Sequence, residues 1–415
     1  MDITIHPGKL AGSVAAIPSK SQAHRYLICA ALANNETTLV CPETNRDIEA
    51  TVDCLNALGA TITHITDGYI IQPIQNVPQN AVLNCCESGS TLRFMLPIVG
   101  ALGVDAVFQM EGRLPQRPLS PLWEEMERMG CTLSRPTENT IRCQGKLKAG
   151  NYSISGGVSS QFITGLLFAL SLIDGKSTLE ISGKVESKPY IDMTKAAMRL
   201  FDAPNYHTPG CITVEGDWSN GAFWLAAKSL GNPLEVTNLN PDPPQGDRAA
   251  ASLLPALEEY ITIDASDIPD LVPILAVVAG AKKGAVFTNI QRLRIKESDR
   301  VASTVALLEA LGGKAEATAD TLTVHGTGLT GGTVDACNDH RIAMAAAIAA
   351  TVCTEPVTIL GAQAVNKSYP KFWDDYQRLS CHCEPVRRLV WQSPNSSEVS
   401  DDPGDSHASV STGSE

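Results

Sequence analysis

Apolar residues in this chain follow two rhythms. The first is a dense helical run that opens on polar or charged residues, and it recurs six times. The copies are SKSQAHRYLICAALA from Ser19, SGSTLRFMLPIVGAL from Ser88, SSQFITGLLFALSL from Ser159, SNGAFWLAAKSL from Ser219, IPDLVPILAVVAGA from Ile268 and NDHRIAMAAAIAA from Asn338. Their starts lie roughly 50–70 residues apart, the mark of a repeat architecture. After about 25–28 residues most copies reach a second charged stretch that opens an amphipathic helix. NRDIEATVDCLNALGA, RLPQRPLSPLWEEMERMG, ESKPYIDMTKAAMRLFDA, IKESDRVASTVALLEALGG and NKSYPKFWDDYQRL are examples. The second rhythm is strict alternation, as in ATITHIT and YIIQPI, which predicts a hairpin. LGA or LGG after the second helix reads as a glycine C-cap.

One unit therefore reads βαβαββ, and six units make two domains of three. The expected boundaries are residues 14–215 for the first domain, and 1–13 with 216–380 for the second. The strand in ITIHPGKL precedes the first unit without a partner there, so it is expected to pair in the second domain, with two chain crossings. Residues 393–415 are Ser-rich and acidic with almost no large apolar side chain, and are expected to form a disordered tail.

Composition narrows the function classes. Of 415 residues, 43% are hydrophobic and 19% charged, enough apolar material for two packed cores. A net charge of −13 argues against a nucleic-acid or membrane surface, so clustered cations need a local reason. MDITIHPGKL lacks the apolar core of a signal peptide, and the run near LVPILAVVAGA is too short to span a bilayer. A cytoplasmic location is expected. The twelve cysteines form no paired CxxC motifs. Cys381, His382 and Cys383 could begin a zinc site, but a second ligand pair is missing; free thiols in a reducing compartment are the plainer reading.

The chemistry lies at the helix starts, where backbone N–H groups favour anions. Lys20, Ser21 and Arg25 occupy the first turn of one helix, and Ser21 and Arg25 share a face. Ammonium, hydroxyl and guanidinium together suit a phosphate or carboxylate, although the segment alone reads equally well as an N-cap with surface cations. Arg292 to Arg300 packs six ionic groups into nine residues between a strand and a helix. Such runs are usually solvated, but this one sits at an α/β mouth, with Lys296 and Arg300 one helical turn apart and Glu297 among the cations as a candidate acid or base. Arg93 after Gly89-Ser90-Thr91, Arg113 and Arg117 around a proline turn, Ser159-Ser160-Gln161, Ser187 to Tyr190, Asp339-His340-Arg341 and Asn366-Lys367-Ser368 add donors and charge. Asp270 stands alone in IPDLVPILAVV, where a cap is the ordinary role. Jointly these positions imply substrates with several negative charges.

PSKSQAHR, SGSTLRF, RLPQRPL, VSSQFITGLL, ESKPYID, DIPD, RIKESDR, NDHRIAM and NKSYP, in this order, resemble the 3-phosphoshikimate 1-carboxyvinyltransferase family, from about residue 3 to 379. The resemblance implies an α/β (α+β) enolpyruvyl transferase fold: two similar domains, each of three βαβαββ repeats, helices inside and sheets outside. It implies joining of phosphoenolpyruvate to shikimate 3-phosphate by a monomer with no cofactor or metal, and no nucleic-acid or membrane partner. By the same resemblance Lys20, Ser21, Arg25, Ser159, Ser160, Gln161, Ser187, Tyr190, Asp270 and Lys296 would hold shikimate 3-phosphate. Lys20, Gly89, Arg117, Gln161, Arg300, Arg341 and Lys367 would grip phosphoenolpyruvate. Asp270 would accept a proton, Glu297 would donate one, and Lys20 would complete the catalytic set.

Two positions depart from the family pattern. Glu87 stands where many members have Asn, and Arg292 replaces a substrate-binding Asn, so that contact is not carried over. Three alternatives are weighed. UDP-N-acetylglucosamine 1-carboxyvinyltransferases share fold and donor but carry a reactive Cys in a loop that EGRLPQRPLSPL lacks. An RNA-terminal phosphate cyclase would need a nucleotide-linked His, which His340 within NDHR does not support. A non-catalytic anion-binding protein would not need both carboxylates with the full cation set.

Overall fold

The computed structural model describes residues 1–380 and the short strand Val390–Gln392. Both the expected tail at 393–415 and the Cys381-His382-Cys383 cluster lie outside the described residues. Among the described residues twelve α-helices fall into six consecutive pairs: α1 (Lys20–Ala31) and α2 (Arg46–Ala57), α3 (Gly89–Leu102) and α4 (Leu122–Arg128), α5 (Ser160–Leu170) and α6 (Lys188–Leu200), α7 (Trp218–Ser229) and α8 (Ala250–Ala256), α9 (Val272–Ala281) and α10 (Arg300–Ala310), α11 (His340–Ala349) and α12 (Phe372–Ser380).

The first helix of each pair is the more deeply buried one. All ten residues of α11 are buried, as are all but Ala281 of α9 and all but Ser90 and Leu102 of α3. Helices apolar on every side must be enclosed by other elements. Here α3 packs on α5 and α11 on α9, with the sheets outside them. Two separate cores result. One gathers Ala23 through Val214; the other gathers Ile3 through Ile17 with Ala222 through Leu379. The glycines after α2 and α10, Gly59 and Gly312, both have positive φ, as C-caps require.

Among the described residues six sheets match the six units. The complete pattern is a parallel pair followed by an antiparallel hairpin. Asn80–Asn84, Asp105–Gln109, Thr140–Gly145 and Cys131–Ser134 form one such sheet, and Ile261–Asp264, Gly284–Thr288, Thr321–His325 and Lys314–Ala317 another. The other sheets are stitched across the sequence. Cys211–Thr213, late in the first half, runs parallel to Thr37–Val40, while Gly12–Ala15 runs parallel to Leu234–Thr237 in the second half. Each crossing segment thus supplies a strand to the half it is leaving or about to enter. The N-terminal strand Asp2–Ile5 pairs antiparallel with Val357–Leu360, and Val390–Gln392 adds to its far side. In the third and fourth units the sheet stops at the parallel pair, Asn151–Ser155 with Thr178–Ser182 and Gly12–Ala15 with Leu234–Thr237. After the third unit the chain returns to the first sheet and then crosses, so no hairpin follows there.

The two crossings lie side by side. Pro18 bridges Gly216, Ser19 N donates to Glu215 O at 2.8 Å, and Asp217 N donates to Ile17 O at 2.7 Å. One turn also recurs before the apolar helices. Asn84 Oδ1 accepts from Cys86 N, Asp264 Oδ1 from Ser266 N and Asp335 Oδ1 from Cys337 N. A side-chain acceptor two residues ahead reverses the strand and aims the following helix start inward.

Candidate active site

The inward helix starts of both halves face one cleft that is open to solvent and lined by residues of both halves. Every residue that the family resemblance assigned to the site lines it except Lys367, while Arg113, Asp339, Asn366 and Ser368, also singled out in the sequence, do not.

From the first half, α1 presents Lys20, Ser21 and Arg25. Lys20 Nζ lies 2.8 Å from Asp47 Oδ2. Arg25 is buried with its guanidinium over the Phe94 ring, and it donates to Ser21 O, Thr194 Oγ1, Thr164 Oγ1 and Tyr190 O. Four of its five N–H groups are thereby used to hold it in place. Ser159 caps α5, its hydroxyl accepting from Gln161 N at 3.3 Å. Gln161 in turn accepts from Arg93 Nη1 at 2.8 Å and donates to Ser90 Oγ at 2.9 Å. Arg93 therefore orients Gln161, a role its place in the sequence did not suggest. Gly89 opens α3 beside two guanidiniums: a Cβ there would lie 2.6 Å from Arg117 Nη1 and 2.9 Å from Arg93 Nη1, so a larger residue would displace them.

Ser187 precedes α6 in the left-handed region, φ 54°, an uncommon conformation for a residue other than glycine, Asn or Asp. Its hydroxyl accepts from Arg292 Nη1 at 3.1 Å, while Arg292 Nε donates to Val158 O at 3.0 Å. Arg292, the departure from the family pattern, thus reaches across from the second half to the cleft-lining serines of the first, the cradle of Ser159, Ser160 and Ser187.

The second half supplies a charge cluster centred on Arg300, which is 1% exposed. Its guanidinium touches three carboxylates: Asp270 Oδ1 at 2.7 Å, Glu297 Oε2 at 2.6 Å and Asp339 Oδ2 at 3.0 Å. Asp270 Oδ2 also accepts from Arg341 Nη2 at 3.0 Å, and Lys296 Nζ stands 3.8 Å from Oδ1. Asp270 does not cap α9; it spends both oxygens on these cations. Arg117 crosses from the first half to lie 3.5 Å from Glu297 Oε1. Lys296 and Arg300 are not one turn apart on a helix, because Lys296 is extended and α10 begins only at Arg300. The loop between them lets Glu297 bend back onto the Arg300 guanidinium.

These contacts set the protonation states. Burial pushes the Asp270 carboxyl up, but Arg341, Lys296 and Arg300 more than offset it and hold it well below the usual carboxylate range. Glu297 is likewise pushed up by burial and drawn far down by Arg300 and Arg117. Burial lowers the Lys296 ammonium to about 8. His340, grouped with charge donors from the sequence, is a correction: burial, then Arg341 and Lys20, push it well below its ordinary value, so the imidazole is neutral.

Three carboxylates at the site escaped the sequence reading. Asp47 and Asp217 flank Lys20, Asp217 also capping α7 through Asn220 N. Asp247, from the loop PPQGDR, is buried and accepts the Tyr190 hydroxyl at 2.8 Å; the same hydroxyl lies 3.3 Å from Asp270 Oδ2. Burial and the neighbouring Asp270 raise Asp247 to about 7. No local signal separates such residues from ordinary caps and turn residues. Among the described residues no group of His, Cys, Asp or Glu is arranged to hold a metal ion, and no helix is long and apolar enough to cross a membrane.

The family model for EPSP synthase (3-phosphoshikimate 1-carboxyvinyltransferase) matches residues 5–376. A 3-phosphoshikimate 1-carboxyvinyltransferase of Clostridium kluyveri is 37% identical over 415 residues, covering 91% of this chain and 97% of its own. That of Clostridium acetobutylicum is 38% identical over 416 residues, covering 91% and 97%. Two solved structures share the fold: an EPSP synthase from Acinetobacter baumannii, with TM-score 0.74 at 20% identity over 91% of this chain and 98% of that one, and the enolpyruvyl transferase NikO from Streptomyces tendae, with TM-score 0.66 at 17% identity over 91% and 97%.

Proposed function

The chain belongs to the EPSP synthase family, and from that premise we propose that it moves the enolpyruvyl group of phosphoenolpyruvate to the 5-hydroxyl of shikimate 3-phosphate and releases phosphate. This is the enolpyruvyl transfer of the shikimate pathway to aromatic amino acids. The observation that carries the reading is Asp270 and Glu297 sharing one buried guanidinium, Arg300, in a cleft lined with cations from both halves.

The reaction needs one acid, one base and charge for two anions. Protonation of the donor's methylene carbon makes the adjacent carbon cationic. The acceptor hydroxyl attacks that carbon as it gives up its proton. The tetrahedral adduct then loses a methyl proton and expels phosphate. Shikimate 3-phosphate is assigned to Lys20, Ser21, Arg25, the serines 159, 160 and 187, Gln161, Tyr190 and Lys296. The donor is assigned to Arg117, Arg300 and Arg341, with Gly89, Gln161 and Lys20 beside them and Lys367 at the rim.

Asp270, held anionic, is suited to accept the hydroxyl proton. Glu297 must arrive protonated, yet Arg300 and Arg117 hold it ionised. The donor resolves this conflict. Its phosphate and carboxylate take Arg117, Arg300 and Arg341 as partners, which weakens their hold on both carboxylates and raises the affinity of each for a proton. The cations that grip the donor thus switch on the acid that protonates it. All ten described cysteines are free thiols, which supports a reducing, cytoplasmic setting; a monomer is our reading, since one chain supplies the acid, base and both anion sites.

Phosphate release with phosphoenolpyruvate plus shikimate 3-phosphate tests the proposal. Release should depend on both compounds. Turnover with UDP-N-acetylglucosamine as acceptor instead would overturn it.

A further inference from the structure

Lys367 does not line the cleft. It ends a short 3-10 turn, Ala362–Lys367, and its ammonium is buried at the rim with a side chain 9% exposed. One N–H donates to Asn338 O at 2.8 Å and another to Glu87 Oε2 at 2.8 Å. The same Glu87 oxygen accepts from Asn338 Nδ2 at 3.1 Å. Glu87 belongs to the first half, in the turn just before α3; Asn338 and Lys367 belong to the second. Two equivalent turns of the repeat therefore meet face to face: Cys86-Glu87 before α3 and Cys337-Asn338 before α11, with Cys86, Cys337 and Asn338 at positive φ. Gly112 makes room for the carboxylate, since a Cβ there would lie 2.3 Å from Glu87 Oε2.

Such a carboxylate has a consequence for anion binding. It neutralises the Lys367 ammonium and occupies one N–H donor of Lys367 and one of Asn338, two residues before the cleft-lining His340. We propose that Glu87 is a specificity-determining residue for the donor, an internal carboxylate that competes with the donor anion for Lys367 and Asn338 and so weakens donor binding while tying the two halves together. This rests on the reading that Lys367 faces phosphoenolpyruvate. Glu87 touches none of the cradle serines, so its influence falls on the donor and not on the acceptor.

The test is steady-state phosphate release by the full chain with Glu87→Gln, alone and in a Lys367→Met background. Glutamine keeps the size of the side chain and leaves an oxygen for Asn338. The variant should lower KM for phosphoenolpyruvate roughly tenfold, the order expected for one partly screened charge. kcat/KM for the donor should rise with it, and KM for shikimate 3-phosphate should not move. In the Lys367→Met background the same change should leave donor KM where Lys367→Met alone put it. An unchanged or raised donor KM in Glu87→Gln would overturn the proposal, as would a fall in KM matched by kcat. So would an equal effect with and without Lys367. Failure of the unmodified enzyme to turn over this substrate pair would instead sink the functional reading beneath it.

Discussion

At the scale of single residues the site is a problem in counter-ions. Asp270 and Glu297 are chemically alike, and both sit against Arg300; what separates them is the second partner, Arg341 for one and Arg117 for the other. On the proposed roles both residues handle protons in transit, so Asp270→Asn and Glu297→Gln should each cut kcat by about a hundredfold or more while changing either KM far less. A raised KM with kcat intact would reduce that residue to a binding role. Asp247 makes a different prediction. Its folded pKa, about 7, lies above the unfolded carboxyl value of about 4, so the folded protein holds a proton that the unfolded chain has lost. Its contribution to stability is complete below about pH 4 and disappears as pH rises through about 7. Asp247→Asn, which mimics the protonated group, should therefore gain in Tm over the unmodified protein between pH 5 and pH 8. A constant Tm difference across that range would show that Asp247 is ionised throughout.

At the scale of elements, function depends on how closely two apolar helices approach. α3 and α5 touch where Gly165 faces Arg93: a Cβ on Gly165 would lie 2.2 Å from Arg93 O, and the Pro97 ring stands 3.0 Å away. Neither neighbour is a flexible side-chain end that can swing aside. Gly165→Ala should lower stability by about 1–3 kcal/mol, the usual range for overpacking a filled core, as read from denaturant unfolding. Because Arg93 also carries Gln161, the change should lower activity in parallel. An alanine variant as stable as the parent would mean the helices separate freely. The six apolar helices were legible in the sequence because each is a run with a polar start. The end of each sheet was not, since alternation identifies a strand but not the neighbour it pairs with.

At the scale of the molecule, the cleft belongs to neither half. Arg292 reaches from the second half to Ser187 and Val158, Arg117 from the first to Glu297, and Tyr190 from the first to Asp247 and Asp270. On the proposed assignment, a phosphorylated acceptor held by Ser159, Ser160, Ser187 and Lys296 would hold the halves together, and the adjacent crossings near Ala16 and Gly216 would take up the rotation. Small-angle scattering should give a smaller radius of gyration with shikimate 3-phosphate than without it, with phosphoenolpyruvate alone doing much less. A radius that ignores saturating acceptor would mean a site formed before binding.

The sequence by itself determined the repeat, the apolar helices with their polar starts and glycine caps, and the cations at those starts. Each of these depends on residues a few positions apart, which share one turn or one face wherever the chain goes. Tertiary structure alone decided the rest. Asp217 reads as a helix cap, Asp247 as part of a polar loop and Glu87 as an acid among small residues, and nothing local separates them from hundreds of similar positions in other chains. Their chemistry comes from partners far along the sequence: the Lys20 backbone N–H for Asp217, the Tyr190 hydroxyl for Asp247, the Lys367 ammonium for Glu87. A carboxylate's charge state and its use are set by which cations the fold brings within a few ångströms and by how much water it excludes, and neither quantity is written in the residue's own neighbourhood.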